Sequence, residues 1–519
     1  MADKRLPMPT LLPGETLMYV KYFDETPPAH ALSSLRAIEQ LARAKNYEGI
    51  GKAGPIIAAG SLGLHNHQRE FSRYKAVFGR DSLRVAMDLI PRYPKLAHAT
   101  LIRLAELQGV SVNEWREEEP GRIIHEFRDP QVDPVARELT EQRSWGWPYY
   151  GSVDSTPEYI RTLIAYCRNE GYTIMKHSYT GRNGKRHTIA DALERAVNWI
   201  CGRLDANKEG LLEFHHAIPG GIENQVWKDS WDSYFHADGT IANHNFGIAS
   251  VEVQRVAYDA LLDAADCYDT HLANPKRANE LRTRADHLRR QIFKYFWTDD
   301  QEGYFVLGTD RDDNGKLRQL QIRTSNMGHL LHSRLLLGED PTERKYREAV
   351  VRHLFSPQLF SFSGIRTLST DANRFRPGAY HNGSVWVWDN YLIIQGLEMN
   401  GYFGLARFLE HIISEDITSV KRLPEYLRGD TDEAHNLNTR IVEIQDSIYK
   451  RVNRLEQPPQ DVQAWTAAAM LAIKDDANSN KKHNGHYLHP LEKELLETIR
   501  LRSKHWHKVI DEILGVIST

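Results

Sequence analysis

Cysteine is scarce in this sequence, which has three among 519 residues: Cys167, Cys201 and Cys267. Their number is odd and they lie far apart in helix-like stretches, so they do not form a disulfide framework. The C-x-x-C spacing of a zinc site or a redox pair is absent as well. Buried thiols in a reducing compartment are the simplest explanation, and we therefore expect a cytoplasmic protein.

Long apolar runs and an excess of one charge are also lacking. No segment approaches the ~20 consecutive apolar residues that a membrane span needs, and residues 1–9 carry charges rather than the apolar stretch of a signal peptide. The 66 basic and 69 acidic residues leave a net charge of −3, and no Lys/Arg block resembles a nucleic-acid footprint. We expect neither a membrane nor a nucleic acid as partner.

Aromatic residues, in contrast, are plentiful, with 11 Trp and 23 Tyr. Several cluster in turn-like segments instead of periodic helices. These are Trp145, Trp147, Tyr149, Tyr150, Trp227, Trp231, Trp386 and Trp388. Core packing explains any one of them, but such a group beside Asp, Arg and His suits a sugar site, where apolar ring faces stack on aromatics and hydroxyls form hydrogen bonds.

Helical periodicity dominates the chain. Residues 31–45 place Leu32, Leu35, Ile38 and Leu41 three residues apart, on one face of a helix. Comparable stretches lie at 81–109, 155–170, 187–203, 248–272, 275–297, 323–336, 342–355, 384–398, 402–415 and 461–473. Together they predict an all-α protein with roughly the dozen helices that a double-ring helical barrel needs.

Composition and polarity suggest how the chain is divided. We predict a catalytic barrel over 1–475, in which 1–70 is a lead-in, followed by a linker and a C-terminal amphipathic helix within 476–519. A polar stretch at 474–484 marks the linker, and the helix covers about 490–515. That helix either caps the barrel or pairs with a second subunit; the sequence leaves both options open.

Strand signals are few. The segments 304–307 and 317–322 read as a hairpin whose turn is Asn314–Gly315. The same run imitates a calcium loop, but Gln321 stands where a bidentate Glu is needed, so the hairpin is the favoured interpretation. The second polar loop, at 205–210, is similarly read as a turn that closes a helix.

Two acidic residues are candidates for chemistry on a glycosidic bond, which needs one protonated carboxyl and one ionised carboxylate on the opposite side. Asp229 lies between Trp227 and Trp231, and such an apolar wall raises the pKa of a carboxyl group. Asp232 adds a like charge or holds a substrate hydroxyl. Alternatively, Asp229 caps a helix and the tryptophans belong to the core.

The second candidate is Glu425, which directly follows Pro424 in a loop or at the first turn of a helix. Arg422, Arg428 and Asp430 surround it in the sequence. A surface turn with ordinary ion pairs explains the same pattern, so neither carboxylate is convincing alone.

Three further segments have the composition of binding loops. VFGRDSL places Arg80 and Asp81 after a glycine at the start of a helix, where the pair suits hydroxyl recognition or Asp81 simply caps the helix. EEEPGRIIHEFR contains His125 and Glu126. YHNGSVWVWDN contributes Tyr380, His381, Asn382, Trp386 and Asp389. No second His or Cys lies at ligand spacing from His381, so we expect no metal and no cofactor.

Taken in order, nine segments resemble the bacterial amylo-α-1,6-glucosidase, or glycogen-debranching-like, proteins, which are more distantly related to glucoamylases, trehalases and glucosylglycerate hydrolases. They are FGRDSL, EEEPGRIIHEFR, YYGSVDSTP, NQVWKDSWDS, SNMGHLL, SGIRTLS, YHNGSVW, LPE and QAWTAAAML. The resemblance covers residues from about 70 to 475. It implies an (α/α)6 barrel with the site in the loops at one end, and inversion at the anomeric carbon.

The resemblance also assigns roles. Asp229, in WKDS, corresponds to the general acid, and Glu425, in LPE, corresponds to the base that activates water. It implies a set of substrate-binding residues for a small carbohydrate. They are Arg80, Asp81, Glu126, Tyr150, Asp154, Trp227, Lys228, Asp232, Tyr380, His381, Asn382 and Trp386.

Three features depart from the family's pattern. Val226 replaces a usual Gly, and Trp388 replaces the usual His of a Trp-Pro-His-Asp motif. Only about 75 residues precede GRDS, which is too short for the β-rich domain that many relatives carry. These differences favour a small glycoside over a polymer such as glycogen.

Two other functions remain open at this point. Some sugar epimerases share the helical barrel and use paired histidines as acid and base, but His125, His329 and His381 do not form such a pattern in the sequence. A sugar-binding protein that has lost catalysis is the other alternative, although both carboxylates are present.

Overall fold

The computed structural model describes residues 60–61, 76–131, 133–420, 423–430, 462–479 and 488–515. Thirteen α-helices lie within these ranges. They are α1 Gly79–Leu89, α2 Pro94–Glu106, α3 Pro134–Arg143, α4 Ser155–Glu170, α5 Ile189–Asp205, α6 Val251–Thr270, α7 Pro275–Phe296, α8 Pro341–Leu354, α9 Val387–Met399, α10 Phe403–Val420, α11 Ala464–Ser479, α12 Pro490–Arg502 and α13 His507–Leu514.

The strands in the described ranges are short and pair antiparallel in small sheets at the loops. They are β1 Gly60–Ser61 with β13 Val462–Gln463, β2 Val77–Phe78 with β3 Glu126–Phe127, β4 Ser178–Thr180 with β5 Arg186–Thr188, β7 Trp297–Thr298 with β8 Tyr304–Phe305, β11 Phe360–Ser361 with β12 Gly364–Ile365, and a three-stranded sheet of β10 Leu317–Leu320, β9 Gly308–Arg311 and β6 Ala249–Ser250.

Local sequence signals start many of these helices. Helix α5 begins with a capping box, in which the Thr188 hydroxyl accepts from the Asp191 amide and the Asp191 carboxylate accepts from the Thr188 amide. Five helices have proline at their first position, where the missing N–H costs no hydrogen bond. These prolines are Pro94, Pro134, Pro275, Pro341 and Pro490.

Six elements form a closed inner ring. Helix α1 packs against α4, α4 against α6, α6 against a 3₁₀ segment at Ser325–Leu331, that segment against α9, α9 against α11, and α11 against α1. Helices α2, α5, α7, α8 and α10 form an outer layer on this ring. The protein is therefore an (α/α)6 barrel, and the prediction of the fold is confirmed.

The inner elements begin at the same end of the barrel. Arg80, in the first turn of α1, bonds Asp154, which immediately precedes α4. The carboxylate of Asp81 interacts with Gln463, which immediately precedes α11. Loops that carry polar side chains therefore converge where the inner helices start, and the partial positive charge of each helix N-terminus points toward them.

Most predicted helices are confirmed within a few residues, and α4 has the predicted bounds of 155–170. The helix predicted over 81–109 was wrong, because the chain breaks between α1 and α2 around Pro91 and Pro94. The helix predicted over 323–336 is replaced by 3₁₀ turns. All residues of Ser325–Leu331 are buried, so the segment lacks the exposed polar face that the prediction assumed.

Helix α3 was not predicted from the sequence. The helix predicted over 31–45 lies outside the described residues. Helix α11 extends to Ser479, into the polar stretch assigned to a linker. Polarity by itself does not end a helix, and residues 474–479 contain neither the Pro nor the Gly that would break one.

The predicted hairpin forms around Asn314–Gly315, but its first strand is β9, not the predicted 304–307. Segment β8 pairs with β7 instead. Asp310, which imitated a calcium ligand, is buried in β9, where it accepts from His236 and Arg318. These hydrogen bonds satisfy the carboxylate, in agreement with a structural hairpin.

The single C-terminal helix predicted over 490–515 was wrong, because α12 and α13 are separated by a turn that buries Trp506 against Phe408 of α10. Both helices pack on α10 of the same chain. Their apolar side chains are buried there, including Leu491, Leu496, Ile499 and Ile510. Pairing with a second subunit through this region stays a prediction.

The state of the cysteines and the polarity of the helices can be compared with the expectations from the sequence. Cys167, Cys201 and Cys267 are all buried free thiols. Throughout the part of the chain that the structure describes, every helix is either too short or too polar to cross a lipid bilayer.

Candidate active site

Arg80 links two carboxylates that are far apart in the sequence. Its Nη1 donates to both carboxylate oxygens of Asp154, at 3.2 and 2.9 Å, and its Nη2 donates to Oδ2 of Asp229 at 3.4 Å. The start of α1 thus fixes the position of Asp229, whose loop lies 149 residues further along the chain. The proposed hydroxyl-binding Arg and the candidate acid belong to one site.

Asp229 has the electrostatic properties of a proton donor near neutral pH. Burial, with the negative charges of Asp81 and Asp154, outweighs the positive charge of Arg80 and raises the pKa of Asp229 to about 7. Nevertheless, 31% of its side chain is exposed, so a substrate can reach the carboxyl group. A protonated and accessible carboxyl is what a general acid requires.

Two more acidic residues, Asp81 and Glu126, lie close to each other near the start of α1. Burial raises the pKa of Asp81 to about 6, although Arg80 and a hydrogen bond from Gln463 oppose the shift. Glu126 lies in β3, which pairs with β2 just ahead of α1, and burial raises its pKa as well. Its carboxylate forms an ion pair with Arg128, so Glu126 lies near the site but is already engaged.

Glu425 is 3% exposed and accepts a hydrogen bond from the Tyr380 hydroxyl at 2.5 Å. Its loop is held on both sides. The Leu427 amide and carbonyl pair with those of Val385, and the Pro424 carbonyl accepts from the hydroxyl of Thr466 in α11. The hydrogen bond from Tyr380 and the two backbone anchors fix the orientation of the Glu425 carboxylate.

The loops around the two carboxylates are joined. The amide and hydroxyl of Ser230 donate to Nδ1 of His381, at 3.2 and 2.9 Å, and Nδ2 of Asn382 donates to the Asp232 carbonyl at 3.0 Å. Tyr380, which bonds Glu425, directly precedes His381. Asp229 and Glu425 are therefore brought to the same site by one intervening loop.

An aromatic cluster forms the wall beside this loop. Trp227 lies edge-on to His381 at 5.4 Å, to Trp386 at 5.9 Å and to Trp388 at 5.1 Å. Trp388 also stacks on Trp465 at 5.2 Å. The side chain that replaces the family's usual histidine thus fills space behind Trp227, and it does so without a charge.

Lys228 is completely buried, and its Nζ donates to the Thr367 carbonyl at 3.0 Å. Burial lowers the pKa of Lys228 to about 8, while the charges of Asp389, Glu252 and Asp232 oppose this shift. These contacts anchor the residue before Asp229. A sugar contact through Lys228 is not supported, because its ammonium group faces the interior.

Tyr150 differs more clearly from expectation. It is completely buried, its hydroxyl donates to the Leu107 carbonyl at 2.7 Å, and Arg182 donates to the same hydroxyl. Its side chain belongs to the hydrophobic core, and the sugar contact stays a prediction. Asn382 and Trp386 are 2% and 1% exposed, so they too mainly hold other groups in place.

Sequence reasoning missed Arg366 and Arg374, and it noted Trp231 only as one of the clustered aromatics beside Asp229. Arg366 is completely buried and donates to the carbonyls of Gly429 and Asp430, just after the Glu425 loop. Trp231 is 56% exposed, with the guanidinium of Arg374 6.0 Å from its ring. The motifs SGIRTLS and WKDSWDS contained Arg366 and Trp231, but no local signal pointed to Arg374.

The three candidate histidines do not form an acid–base pair. His125 is buried between Phe78 and Tyr149, and burial keeps its pKa well below 6.5. His329 is bonded to Asp389, and His381 is bonded to Ser230. Among the residues that the structure describes, no three or more His, Cys, Asp or Glu side chains are grouped so that they could hold a metal ion.

Comparison with known proteins adds a family and a fold. Residues 172–449 match the model of the mannosylglycerate hydrolase MGH1-like glycoside hydrolase domain, a range that contains both Asp229 and Glu425. No curated protein sequence matches the chain.

Solved structures of a GH63 mannosylglycerate hydrolase from Thermus thermophilus are similar in fold. The complex with glucose has a TM-score of 0.52 at 13% identity and covers 86% of this chain and 99% of that chain. The complex with Tris and D-glycerate has a TM-score of 0.53 at 13% identity, with coverages of 86% and 100%. At this identity the likeness shows the (α/α)6 fold alone.

Proposed function

This chain belongs to the mannosylglycerate hydrolase MGH1-like glycoside hydrolase family, and from that premise we propose that it hydrolyses the α-glycosidic bond of a small glycoside with inversion. The family establishes a glycoside hydrolase. The resemblance of the nine motifs to amylo-α-1,6-glucosidase-like proteins supports the finer statement about inversion. In this proposal Asp229 is the general acid and Glu425 the general base.

The observation that carries the proposal is that two carboxyl groups distant in the sequence belong to one site. Asp229 has a pKa of about 7 and remains accessible, and Glu425 accepts a hydrogen bond from Tyr380, in the loop that also contacts the residue after Asp229. A pair of carboxyl groups, one of which keeps its proton near neutral pH, is the arrangement that glycoside hydrolysis requires.

The reaction then proceeds in one displacement. Asp229 protonates the glycosidic oxygen while the bond from that oxygen to the anomeric carbon breaks. Glu425 removes a proton from a water molecule, whose oxygen attacks the anomeric carbon from the opposite face. Arg80, which Asp154 orients, holds Asp229 in place.

Proton NMR during the first minutes of hydrolysis tests the stereochemistry. We expect an α-glycoside to release the β-anomer first, because one displacement inverts the anomeric carbon. Release of the α-anomer before mutarotation would overturn inversion, since it requires two displacements through a covalent intermediate. Spectra are recorded faster than mutarotation occurs in the same buffer, so that the first spectrum shows the anomer released by the enzyme and not the equilibrium mixture.

The substrate class follows from the residues beside Asp229. Trp231 is two residues from the acid and exposes its ring, on which an aglycone can stack. Arg374 donates its Nε to the Gly239 carbonyl and lies 6.0 Å from Trp231 and 5.7 Å from Phe235. Among the residues that the structure describes, its guanidinium has no carboxylate partner.

A partly exposed arginine without an ion pair can bind a carboxylate group in two-point fashion. The related Thermus thermophilus enzyme is a mannosylglycerate hydrolase, and one of its structures holds D-glycerate. We therefore infer that this chain acts on a glycoside of a small hydroxy acid, such as a glucosyl- or mannosylglycerate, in which Arg374 binds the acid's carboxylate.

Replacing Arg374 by Gln tests this assignment. The KM for glucosylglycerate and mannosylglycerate is expected to rise roughly 10- to 100-fold, which is the loss of a hydrogen-bonded charge pair. The values for neutral glycosides (trehalose, isomaltose, kojibiose and sucrose) are expected to stay within about twofold of wild type.

Arg376→Gln is the matched control, since that exposed arginine lies two residues further in the same loop. An equal loss of activity on acidic and neutral glycosides in Arg374→Gln would show that Arg374 supports the loop instead of binding a carboxylate.

A further inference from the structure

The segment from Pro377 to Trp386, here called the bridging segment, contacts both the loop that carries Asp229 and the loop that carries Glu425. Three of its side chains, those of His381, Asn382 and Trp386, are each 1–2% exposed. Their contacts with the two loops connect the surroundings of Asp229 to those of Glu425.

Toward the acid, the bridging segment is tied at two points. Nδ1 of His381 accepts from both the amide and the hydroxyl of Ser230, so the ring carries its proton on Nε2. One residue further, Asn382 donates to the Asp232 carbonyl. The Ser230 carbonyl in turn accepts from Asn224 at 2.7 Å, so the residue after Asp229 is held on both sides.

Toward the base, the contacts are equally dense. The Tyr380 hydroxyl donates to Glu425 at 2.5 Å. The backbone of Val385 exchanges two hydrogen bonds with Leu427, at 2.9 and 2.7 Å, and the Gly429 amide donates to the Pro377 carbonyl. Both ends of the segment are therefore attached to the loop that surrounds the candidate base.

Internal contacts make the bridging segment stiff. The Trp386 indole stacks on His381 at 5.2 Å and on Tyr426 at 5.4 Å, and its Nε1 donates to the Tyr380 carbonyl at 2.8 Å. The Ser384 hydroxyl donates to the same carbonyl at 2.6 Å. A displacement at the Ser230 end is consequently transmitted to Glu425 through packed rings and hydrogen bonds.

We propose that Tyr380 and His381 are positioning residues that fix the acid relative to the base, with Ser230 as the anchor of His381. Tyr380 orients the carboxylate of Glu425. His381 holds the loop that carries Asp229 in a fixed place relative to that contact. This inference rests on the proposed function, because it assumes that Asp229 and Glu425 carry out the reaction.

Such a role has a specific kinetic signature. An error of about 1 Å in the placement of a reacting group can cost on the order of 10²-fold in rate, whereas sugar binding by other residues is unchanged. Loss of a positioning residue should therefore lower kcat and leave KM nearly constant. Loss of a sugar contact should raise KM.

Tyr380→Phe tests the contact with the base. Removal of one hydrogen bond to a charged carboxylate raises its pKa, so the acidic limb of the kcat profile should move up by about one pH unit. We expect kcat at the optimum to fall about tenfold with KM within twofold of wild type. Tyr304→Phe, which removes a buried hydroxyl beside the outer helix α8, should leave the profile unchanged.

A pair of substitutions at His381 separates positioning from sugar binding. Asn places an amide near the position of Nδ1 and can keep the bond with Ser230, whereas Gln reaches the position of Nε2 and loses that bond. We expect His381→Asn to keep at least five times more of the wild-type kcat than His381→Gln. The reverse order, with KM raised in His381→Asn, would identify His381 as a sugar ligand and overturn the proposal.

Glu425→Gln, measured in parallel, distinguishes the two levels of inference. Full activity of Glu425→Gln would refute the proposed catalytic roles themselves. An inactive Glu425→Gln together with an unshifted pH profile in Tyr380→Phe would refute only the positioning role. Thermal unfolding of every variant, followed by circular dichroism, identifies any loss of activity that reflects unfolding. A variant that unfolds is replaced by Tyr380→Trp or by Ser230→Ala. For these variants, too, we expect a lower kcat and a nearly constant KM.

Discussion

Asp229→Asn is expected to lower kcat on a natural glycoside by about 10³- to 10⁴-fold, the upper range for loss of a general acid. Asparagine has the shape of the protonated carboxyl and keeps a hydrogen bond with Arg80, so substrate binding should change little. The leaving oxygen, however, would depart as an alkoxide without a proton. Steady-state kinetics on the best substrate of the glycoside panel provide the measurement.

The pH dependence makes this prediction more specific. In the proposed mechanism the protonated form of Asp229 is the active one, and its pKa is about 7, so wild-type activity should be half-maximal near pH 7 on the basic side and fall tenfold per unit above it. In Asp229→Asn this limb should disappear. The same raised pKa means that Asp229 stabilises the folded protein most at low pH, below its unfolded-state pKa, and that this stabilisation is lost as the pH rises through 7.

An activated substrate separates the acid from every other role. A glycosyl fluoride or a 4-nitrophenyl glycoside has a leaving group that needs no proton, so Asp229→Asn should cleave it at a rate within about tenfold of wild type. Asp286→Asn removes an exposed carboxylate from the outer helix α7 and is the matched control. Equal losses on natural and activated substrates in Asp229→Asn would show that Asp229 is not the proton donor.

Glu425→Gln should be at least as damaging, with kcat lowered about 10³- to 10⁴-fold on natural and activated substrates alike. The amide cannot accept a proton from water, so the water is not activated as a nucleophile. A better leaving group does not compensate for that loss. Gln has nearly the same volume, and its amide oxygen can still accept from Tyr380, so we expect the fold to be intact. Glu280→Gln, on the surface of α7, is the control.

Rescue of activity by a small anion provides a further test of Glu425. Azide is nucleophilic without a general base, and in Glu425→Ala it can occupy the space vacated by the side chain and the water. We expect azide to restore turnover and to give the inverted glycosyl azide. Turnover without azide at the wild-type rate, or a glycosyl azide that retains the configuration, would contradict the assignment of Glu425 as base in a single displacement.

Local sequence patterns determined much of the architecture. The apolar spacing of 155–170 predicted α4 with its bounds, and the succession of such stretches predicted a barrel of helices. Where the pattern failed, a local feature explains it, as with the prolines between α1 and α2. Side-chain periodicity reports which face of an element is buried, and that information is contained in a few neighbouring residues.

The candidate acid and base were also found in the sequence, but neither was convincing until an ordered series of motifs supported them. Their environments were not predictable. The pKa of Asp229 depends on Arg80, Asp81 and Asp154, which approach it from α1 and from the start of α4. Charges act through space, and separation along the chain contains no information about that distance.

What the sequence determined by itself is therefore the helical class and the approximate bounds of most helices, and it supplied two candidate carboxylates for glycoside hydrolysis. Only the tertiary structure decided which neighbours those carboxylates have. In the folded chain Asp229 bonds Arg80, and Glu425 bonds Tyr380. Tyr150 is buried in the core, and Arg374 lies beside Trp231. Periodicity is a property of adjacent residues, whereas protonation and substrate recognition depend on groups that only folding brings together.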